Sequence, residues 1–228
     1  MISSSERHLE LWHFDHCAGC ETGKMRQGDN HQTVAILLAA GSGSRYSGQE
    51  HKLLAQLHGR PLWRHALDTV LLAGALEVIV VTGAVTLDEL TTLVDADHRL
   101  HQVQNDHWQS GQASSLLAGV KRAREMGADA AVVGLADQPG ISQEAWSLVS
   151  ASTSDLAVAD YGVRRGHPVR IARRFWDELP SNGDIGAREV LSRHASIVEP
   201  IPCKGSPDDI DTVKDLQRWL RRSPTNSP

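Results

Sequence analysis

Four continuous apolar runs of strand length constrain this chain more than any other feature: VAILLAA (34–40), LEVIVVTG (76–83), DAAVVGLAD (129–137) and DLAVADY (155–161). A strand with one wet face alternates apolar and polar residues, whereas uninterrupted runs suit parallel strands covered on both faces. The stretches between the runs read as helices. PLWRHALDTVLLAGA opens on Pro61 and sets Leu62, Ala66, Leu67, Val70 and Leu71 on one face. QASSLLAGVKRAREMGA begins at Gln112 and stops at Gly127, a residue suited to a C-cap. Trp63, Trp146, Trp176 and Trp219 fall on helical faces, where core packing is expected of them. Strand, helix, strand in this rhythm implies right-handed crossovers. The expected fold is therefore α/β, a Rossmann-like, doubly wound, mostly parallel sheet with helices on both faces.

No repeat, low-complexity tract or Pro/Gly linker divides the chain, so one domain is expected over residues 32–222 of the 228. Residues 1–31 differ in character, being rich in His and polar residues without a period of two or of 3.6. Cys17 and Cys20 form a CxxC near His13 and His16, a spacing that can hold zinc. No second pair answers it, and Cys203 is the only other thiol. The segment is read instead as a flexible leader, or as the product of an upstream start codon, and residues 223–228 as a disordered tail.

A net charge of −5 and a pI near 6.2 argue against a nucleic-acid-coating surface. The apolar runs are too short to cross a bilayer. Three cysteines make no disulfide framework, and the N-terminus lacks a basic flank followed by an apolar core. A cytoplasmic protein with small-molecule partners is the expectation, with neither nucleic acid nor membrane among them.

The stretch LLAAGSGSRYSGQEHKLL (37–54) follows the first strand run, at the edge of the sheet where open α/β folds bind ligands. Gly41, Gly43 and Gly48 can take backbone angles closed to other residues and leave no Cβ in the way, so several N–H groups can converge on one anion. The loop is neither GxGxxG, because Tyr46 stands where the third glycine belongs, nor a Walker A loop. Arg45 and Lys52 add two cations suited to a polyphosphate. In VVGLADQPGIS the third run ends on Asp137, either a Mg²⁺ ligand or a turn-forming residue before Pro139. Asp208, Asp209 and Asp211 precede a C-terminal helix, as its cap or as further metal ligands.

LAAGSGSR (38–45) followed by Lys52, then NDHWQSGQASSLLAGV (105–120), LADQP (135–139), GHPV (166–169), GDIGAR (183–188) and DIDT (209–212), in that order, resemble the MobA-like nucleotidyltransferases. Within that family the pattern is most similar to the molybdenum cofactor cytidylyltransferases (MocA-like), over residues 34–220. The resemblance implies a nucleotide-diphospho-sugar transferase type of fold and transfer of CMP from CTP to the phosphate of molybdenum-loaded molybdopterin, with release of pyrophosphate. It implies that Leu38, Ala39, Ala40, Gly41, Ser42, Gly43 and Arg45 wrap the nucleotide, and that Lys52 neutralises the triphosphate. Asp137 matches the Mg²⁺ ligand. Asp211 matches a second metal carboxylate, with Asp209 as the fallback. Gly111, Ser114 and Ser115 match a nucleotide-side GxxSS segment acting through a helix N-terminus, while His167, Asp184 and Arg188 match positions facing the acceptor. A molybdoenzyme or its chaperone is the implied protein partner. Two departures stand out: the step from Arg45 to Lys52 is longer than the family's, and Tyr46 replaces the usual Met or Phe. LAAG leans toward CTP but is shared with sugar-phosphate nucleotidyltransferases. Guanylyl or uridylyl transfer to another phosphorylated acceptor, and a non-catalytic cofactor-binding module, are therefore the competing readings.

Overall fold

Uninterrupted apolar strands need cover on two sides, and the fold supplies it. The computed structural model of the protein describes residues 32–74 and 77–222. The leader with its CxxC, Leu76 of the second run and the tail 223–228 lie outside the described residues. In chain order the elements are β1 (Thr33–Ala39), the two-residue strands β2 (Gln56–Leu57) and β3 (Arg60–Pro61), α1 (Leu62–Leu72), β4 (Glu77–Thr82), α2 (Asp88–Ala96), β5 (Leu100–Gln104), α3 (Gln112–Glu125), β6 (Ala130–Leu135), α4 (Gln143–Ala151), β7 (Leu156–Asp160), β8 (Arg165–Ala172), α5 (Ala187–Arg193), β9 (Glu199–Pro202) and α6 (Val213–Leu220). Seven of these strands form one sheet in the order β5-β4-β1-β6-β8-β7-β9.

β1 lies at the centre, and its successive side chains go to opposite cores. Val34, Ile36 and Leu38 join Leu116, Val120 and Ala123 of α3 and Val190 of α5. Ala35, Leu37 and Ala39 join Trp63, Leu67 and Val70 of α1 and Ala145, Trp146 and Val149 of α4. Helices thus cover both faces, as the unbroken runs required. Gly119 lets α3 close on the sheet, since a Cβ there would stand 2.7 Å from Ile36 Cγ2. Trp63, Trp146, Trp176 and Trp219 are all buried, in agreement with a packing role. Gly127, at φ +80°, ends α3 as read.

Three strands of the seven-stranded sheet escaped the apolar-run reading. β5 (LHQVQ) and β9 (EPIP) are edge strands, where one exposed side relaxes the demand for apolar residues and Pro200 and Pro202 cost no ladder bonds. β8 runs antiparallel between β6 and β7, the one reversed strand of the sheet. Its sequence RGHPVRIA is broken by Pro168 and by Arg170, which the tertiary structure nonetheless buries. Arg170 donates through Nε to Ser154 O at 3.0 Å and through a terminal nitrogen to Thr33 Oγ1 at 2.9 Å, so its charge is buried with partners.

A third, smaller cluster joins Ala55, Leu57, Leu62, Ile210, Leu216 and Trp219, with Tyr46 packed against it. It ties the segment after the glycine loop to the segment before α6. Tyr46, the departure from the family pattern, therefore anchors the lengthened step toward Lys52. Thr212 caps α6 in a reciprocal box with Asp215, so none of Asp208, Asp209 and Asp211 is needed as its cap.

Candidate active site

Because β1 and β6 are parallel neighbours with Leu38 paired to Leu135, the loops that leave their carboxyl ends emerge side by side. Between them opens a cleft of about 580 Å³. Of the residues singled out from sequence, Leu38, Ala39, Ala40, Gly41, Ser42, Gly43, Arg45, Lys52, Gly111, Ser115, Asp137, Asp184 and Asp211 line it. Ser114, His167, Arg188 and Asp209 do not. The side chains of Leu38, Ala39 and Ala40 are committed to the two cores, so what they offer the cleft is backbone.

Charge converges on the cleft floor. Lys52 Nζ donates to Asp137 Oδ2 at 2.6 Å and to Asp211 Oδ1 at 3.0 Å, with side-chain exposures of 11, 16 and 18 % for the three residues. Burial by itself would lower the Lys52 pKa, but Asp137 and Asp211 outweigh it and hold the ammonium above its ordinary value. Arg45 reaches the other oxygen of Asp211 at 3.0 Å from the exposed rim. Asp137 makes no helix cap, since Ser142 caps α4 by accepting from Ala145 N–H. Its Oδ1 is buried without a hydrogen-bond partner, which leaves a carboxylate oxygen suited to a cation. Among the described residues no group of three or more His, Cys, Asp or Glu could hold a metal by itself. Two carboxylates completed by substrate phosphate oxygens are nevertheless the usual way Mg²⁺ is held.

The fallback carboxylate goes elsewhere. Asp209 Oδ1 accepts from Gln138 Nε2, and burial, with Asp137 and Asp211 nearby, raises its pKa. Arg164 donates to Pro207 O at 2.6 Å and Asp208 Oδ1 at 3.1 Å, so it fastens the segment before α6 to the β7–β8 turn.

The glycine loop presents donors. Tyr46 N–H closes a turn onto Gly43 O at 2.8 Å. The N–H groups of Ser42, Gly43 and Ser44 have no acceptor among the described residues. The N-terminus of α3 is different from the expectation. Gln112 N–H donates to Asp184 Oδ1 at 3.3 Å and Ala113 N–H to Gly183 O at 3.0 Å, while Gly183 N–H returns to Ser110 O at 2.8 Å. The 183–184 segment therefore occupies the first turn of α3 that the resemblance had assigned to the nucleotide. A Cβ on Gly111 would lie 2.5 Å from Gly183 O, so this docking requires glycine there. Ser114 Oγ is spent on His107 O and Gly111 O, each at 2.9 Å. Buried Asn105 donates to both Ser114 Oγ and Ser115 Oγ at 3.0 Å and fixes the turn between β5 and α3.

His167 lies outside the cleft, and burial, with Arg188 and Arg164 adding to it, lowers its pKa to about 4. A histidine kept neutral in the fold but titrating near 6.5 when unfolded contributes stability that is present above pH 6.5 and lost as pH falls toward 4. Replacing His167 by Asn should flatten urea-unfolding stability across that window, where the wild type declines by about 3 kcal/mol.

Trp108, Gln109 and Gln112 also line the cleft and were not singled out from sequence, although they lie inside the quoted NDHWQSGQ stretch. Trp108 is half-buried, the one tryptophan among the described residues at the cleft wall. No helix among the described residues is long and apolar enough to cross a membrane.

Fold and cleft together define a nucleotide-handling α/β protein. Residues 35–198 match the MobA-like NTP transferase domain, and the chain belongs to that family of nucleotidyltransferases. It is similar to the purine catabolism protein PucB of Bacillus subtilis (strain 168), 31 % identical over 201 residues that span 82 % of this chain and 96 % of PucB. Its fold is that of Mth528, a nucleotidyl transferase from Methanothermobacter thermautotroptrophicus, with a TM-score of 0.69, 24 % identity and coverage of 83 % of this chain and 98 % of that one. It is likewise that of Rv0371C from Mycobacterium tuberculosis H37Rv, solved in complex with manganese, with a TM-score of 0.64, 22 % identity and coverage of 83 % and 98 %.

Proposed function

We propose that the chain transfers CMP from CTP to the terminal phosphate of molybdenum-loaded molybdopterin and releases pyrophosphate. The observation that carries the transferase part of this reading is the junction of Lys52, Asp137 and Asp211 on the floor of a cleft roofed by loop amides that have no acceptor among the described residues. The choice of CTP and molybdopterin rests on the ordered motifs and LAAG.

An acceptor phosphate oxygen attacks the α-phosphorus, a new P–O bond forms, and the bond to the bridging oxygen of the β-phosphate breaks as pyrophosphate departs. The attacking group is already an anion, so no side chain has to remove a proton. The protein's task is to align two anions and to absorb the charge that grows on the leaving group. The N–H groups of Ser42, Gly43 and Ser44 cradle the β- and γ-phosphates, and Arg45 closes over them from the rim. Asp137 and Asp211 would hold Mg²⁺, which supplies Lewis-acid stabilisation of the α-phosphate. Lys52, set between these carboxylates, orients both and offers its charge to the triphosphate. Trp108 gives the base an apolar wall, and Gly111 and Ser115 bound the same side. Asp184 and Arg188 face the acceptor in this reading, with Asp184 also capping α3; His167, matched to the acceptor side by sequence, lies outside the cleft.

Pyrophosphate release, measured with Mg²⁺ and each of CTP, GTP, ATP and UTP, with and without molybdenum-loaded molybdopterin, tests the assignment. Release that needs both CTP and the pterin is expected. Release with GTP or UTP and a sugar 1-phosphate would replace the substrates, and nucleotide binding without any release would make the chain a binding module.

A further inference from the structure

His51 precedes Lys52 in the lengthened step that departs from the family pattern, and both of its ring nitrogens are engaged. Nδ1 is 3.2 Å from Leu53 N–H, which can only donate, so Nδ1 is the unprotonated acceptor. Nε2 is 3.0 Å from Gly41 O, which can only accept, so Nε2 carries the hydrogen. The two backbone partners thus select one neutral tautomer. Burial lowers the His51 pKa and Lys52 adds to the effect, while the backbone of Gly41 and, to a smaller degree, of Ser42 offsets part of it, so the neutral ring is favoured.

The consequence falls on the phosphate cradle. His–Pro 167–168 holds the one cis bond of the described residues, so the Gly41–Ser42 peptide is trans, and its N–H points opposite to its carbonyl. Tying Gly41 O to the ring turns the Ser42 N–H away from His51. Ser42 N–H is one of the loop donors that have no acceptor among the described residues. The next residue, Gly43, takes φ +62°, and a Cβ there would meet Lys52 Cγ at 3.0 Å and His51 Nε2 at 3.3 Å, so the loop is folded down upon this pair.

We propose that His51 is a positioning residue, a strap whose Nε2–H fixes the Gly41–Ser42 peptide so that the loop amides are set for a triphosphate before one arrives. The role rests on the nucleotide-binding reading above. An exposed glycine-rich loop without the strap samples many peptide orientations, and a ligand must then order it at the expense of affinity. The step between Arg45 and Lys52 is longer here than in the family pattern, and His51 ties its far end back to Gly41, at the start of the glycine loop.

Two measurements on the full chain test this. Long-range ¹H–¹⁵N NMR of the His51 ring is expected to show a protonated Nε2 and an unprotonated Nδ1 at neutral pH; the opposite tautomer or an averaged pair would overturn the strap. Calorimetric binding of Mg²⁺-CTP then compares His51→Ala, His51→Gln and His51→Asn. Glutamine places its amide nitrogen where Nε2 was, and asparagine places its oxygen where Nδ1 was. Alanine and asparagine are expected to weaken binding about tenfold, the factor that one lost ordering hydrogen bond supports, and glutamine to restore most of it. Rescue by asparagine and not by glutamine would show that the turn at Leu53 is what matters, and equal binding by all variants would show that neither contact does. If the wild type binds no Mg²⁺-CTP, the nucleotide reading fails by that result, and the ring tautomer alone decides whether the strap exists.

Discussion

Asp137→Asn is expected to cut pyrophosphate release by about a thousandfold or more, the scale on which transition-state charge stabilisation operates in such sites. Asparagine keeps the shape of the side chain and removes its charge. In the native cleft one oxygen of Asp137 accepts from Lys52 at 2.6 Å and the other is buried without a partner. The variant retains a weak bond to Lys52 but offers a cation a neutral amide. Because Asp137 stands at the open end of β6 and not in either core, the fold should survive, which far-ultraviolet circular dichroism will check. Turnover within tenfold of wild type would remove Asp137 from the chemistry.

Lys52→Ala should reduce turnover by about a hundred- to a thousandfold, because a preorganised cation facing the triphosphate is lost. It should also cost stability, which Asp137→Asn should not do to the same degree. Without Lys52, the carboxylates of Asp137 and Asp211 lose the ammonium that both of them bind. Removing one partner of a largely buried ionic cluster costs several kcal/mol in closed interiors; contact with the open cleft reduces that here to about 2 kcal/mol. The direction with pH follows from the raised Lys52 pKa: its contribution is complete below the ordinary lysine value and is lost only as pH rises through the higher folded one. The difference between wild type and Lys52→Ala in urea denaturation should accordingly be at its full size at pH 7. A variant as stable as wild type, with full pyrophosphate release, would contradict the bridging role.

Much of this architecture is visible in the chain because the physics is local. Runs such as VAILLAA can satisfy a parallel strand covered on both faces and little else, and β1, β4, β6 and β7 lie where such runs occur. A turn of Gly and Ser directly after the first of them marks the binding edge of the sheet. Asp137 and Lys52 were legible as an acid and a cation near that edge. The strands missed were those whose burial depends on neighbours: β8 holds Arg170 and Pro168, which read as surface residues until Ser154 and Thr33 are seen to satisfy the guanidinium.

The same division applies to the cleft. Sequence order placed Gly111, Ser114 and Ser115 on the nucleotide side, yet it could not show that Asp184 and Gly183, seventy residues further on, occupy the first turn of α3. Nor could it show that Asp211 and not Asp209 shares Lys52 with Asp137, since the two differ only in which way each side chain leaves one short segment. By itself the sequence determined the doubly wound sheet, the placement of the glycine loop and the family, because periodicity and contiguous motifs are properties of neighbouring residues. Only the tertiary structure decided the reversed strand β8, the lysine shared between two distant carboxylates, the docking of residues 183–184 on α3 and the backbone partners of the His51 ring. Each of those depends on a polar group finding its partner across the fold, and a buried polar group's partner is set by packing.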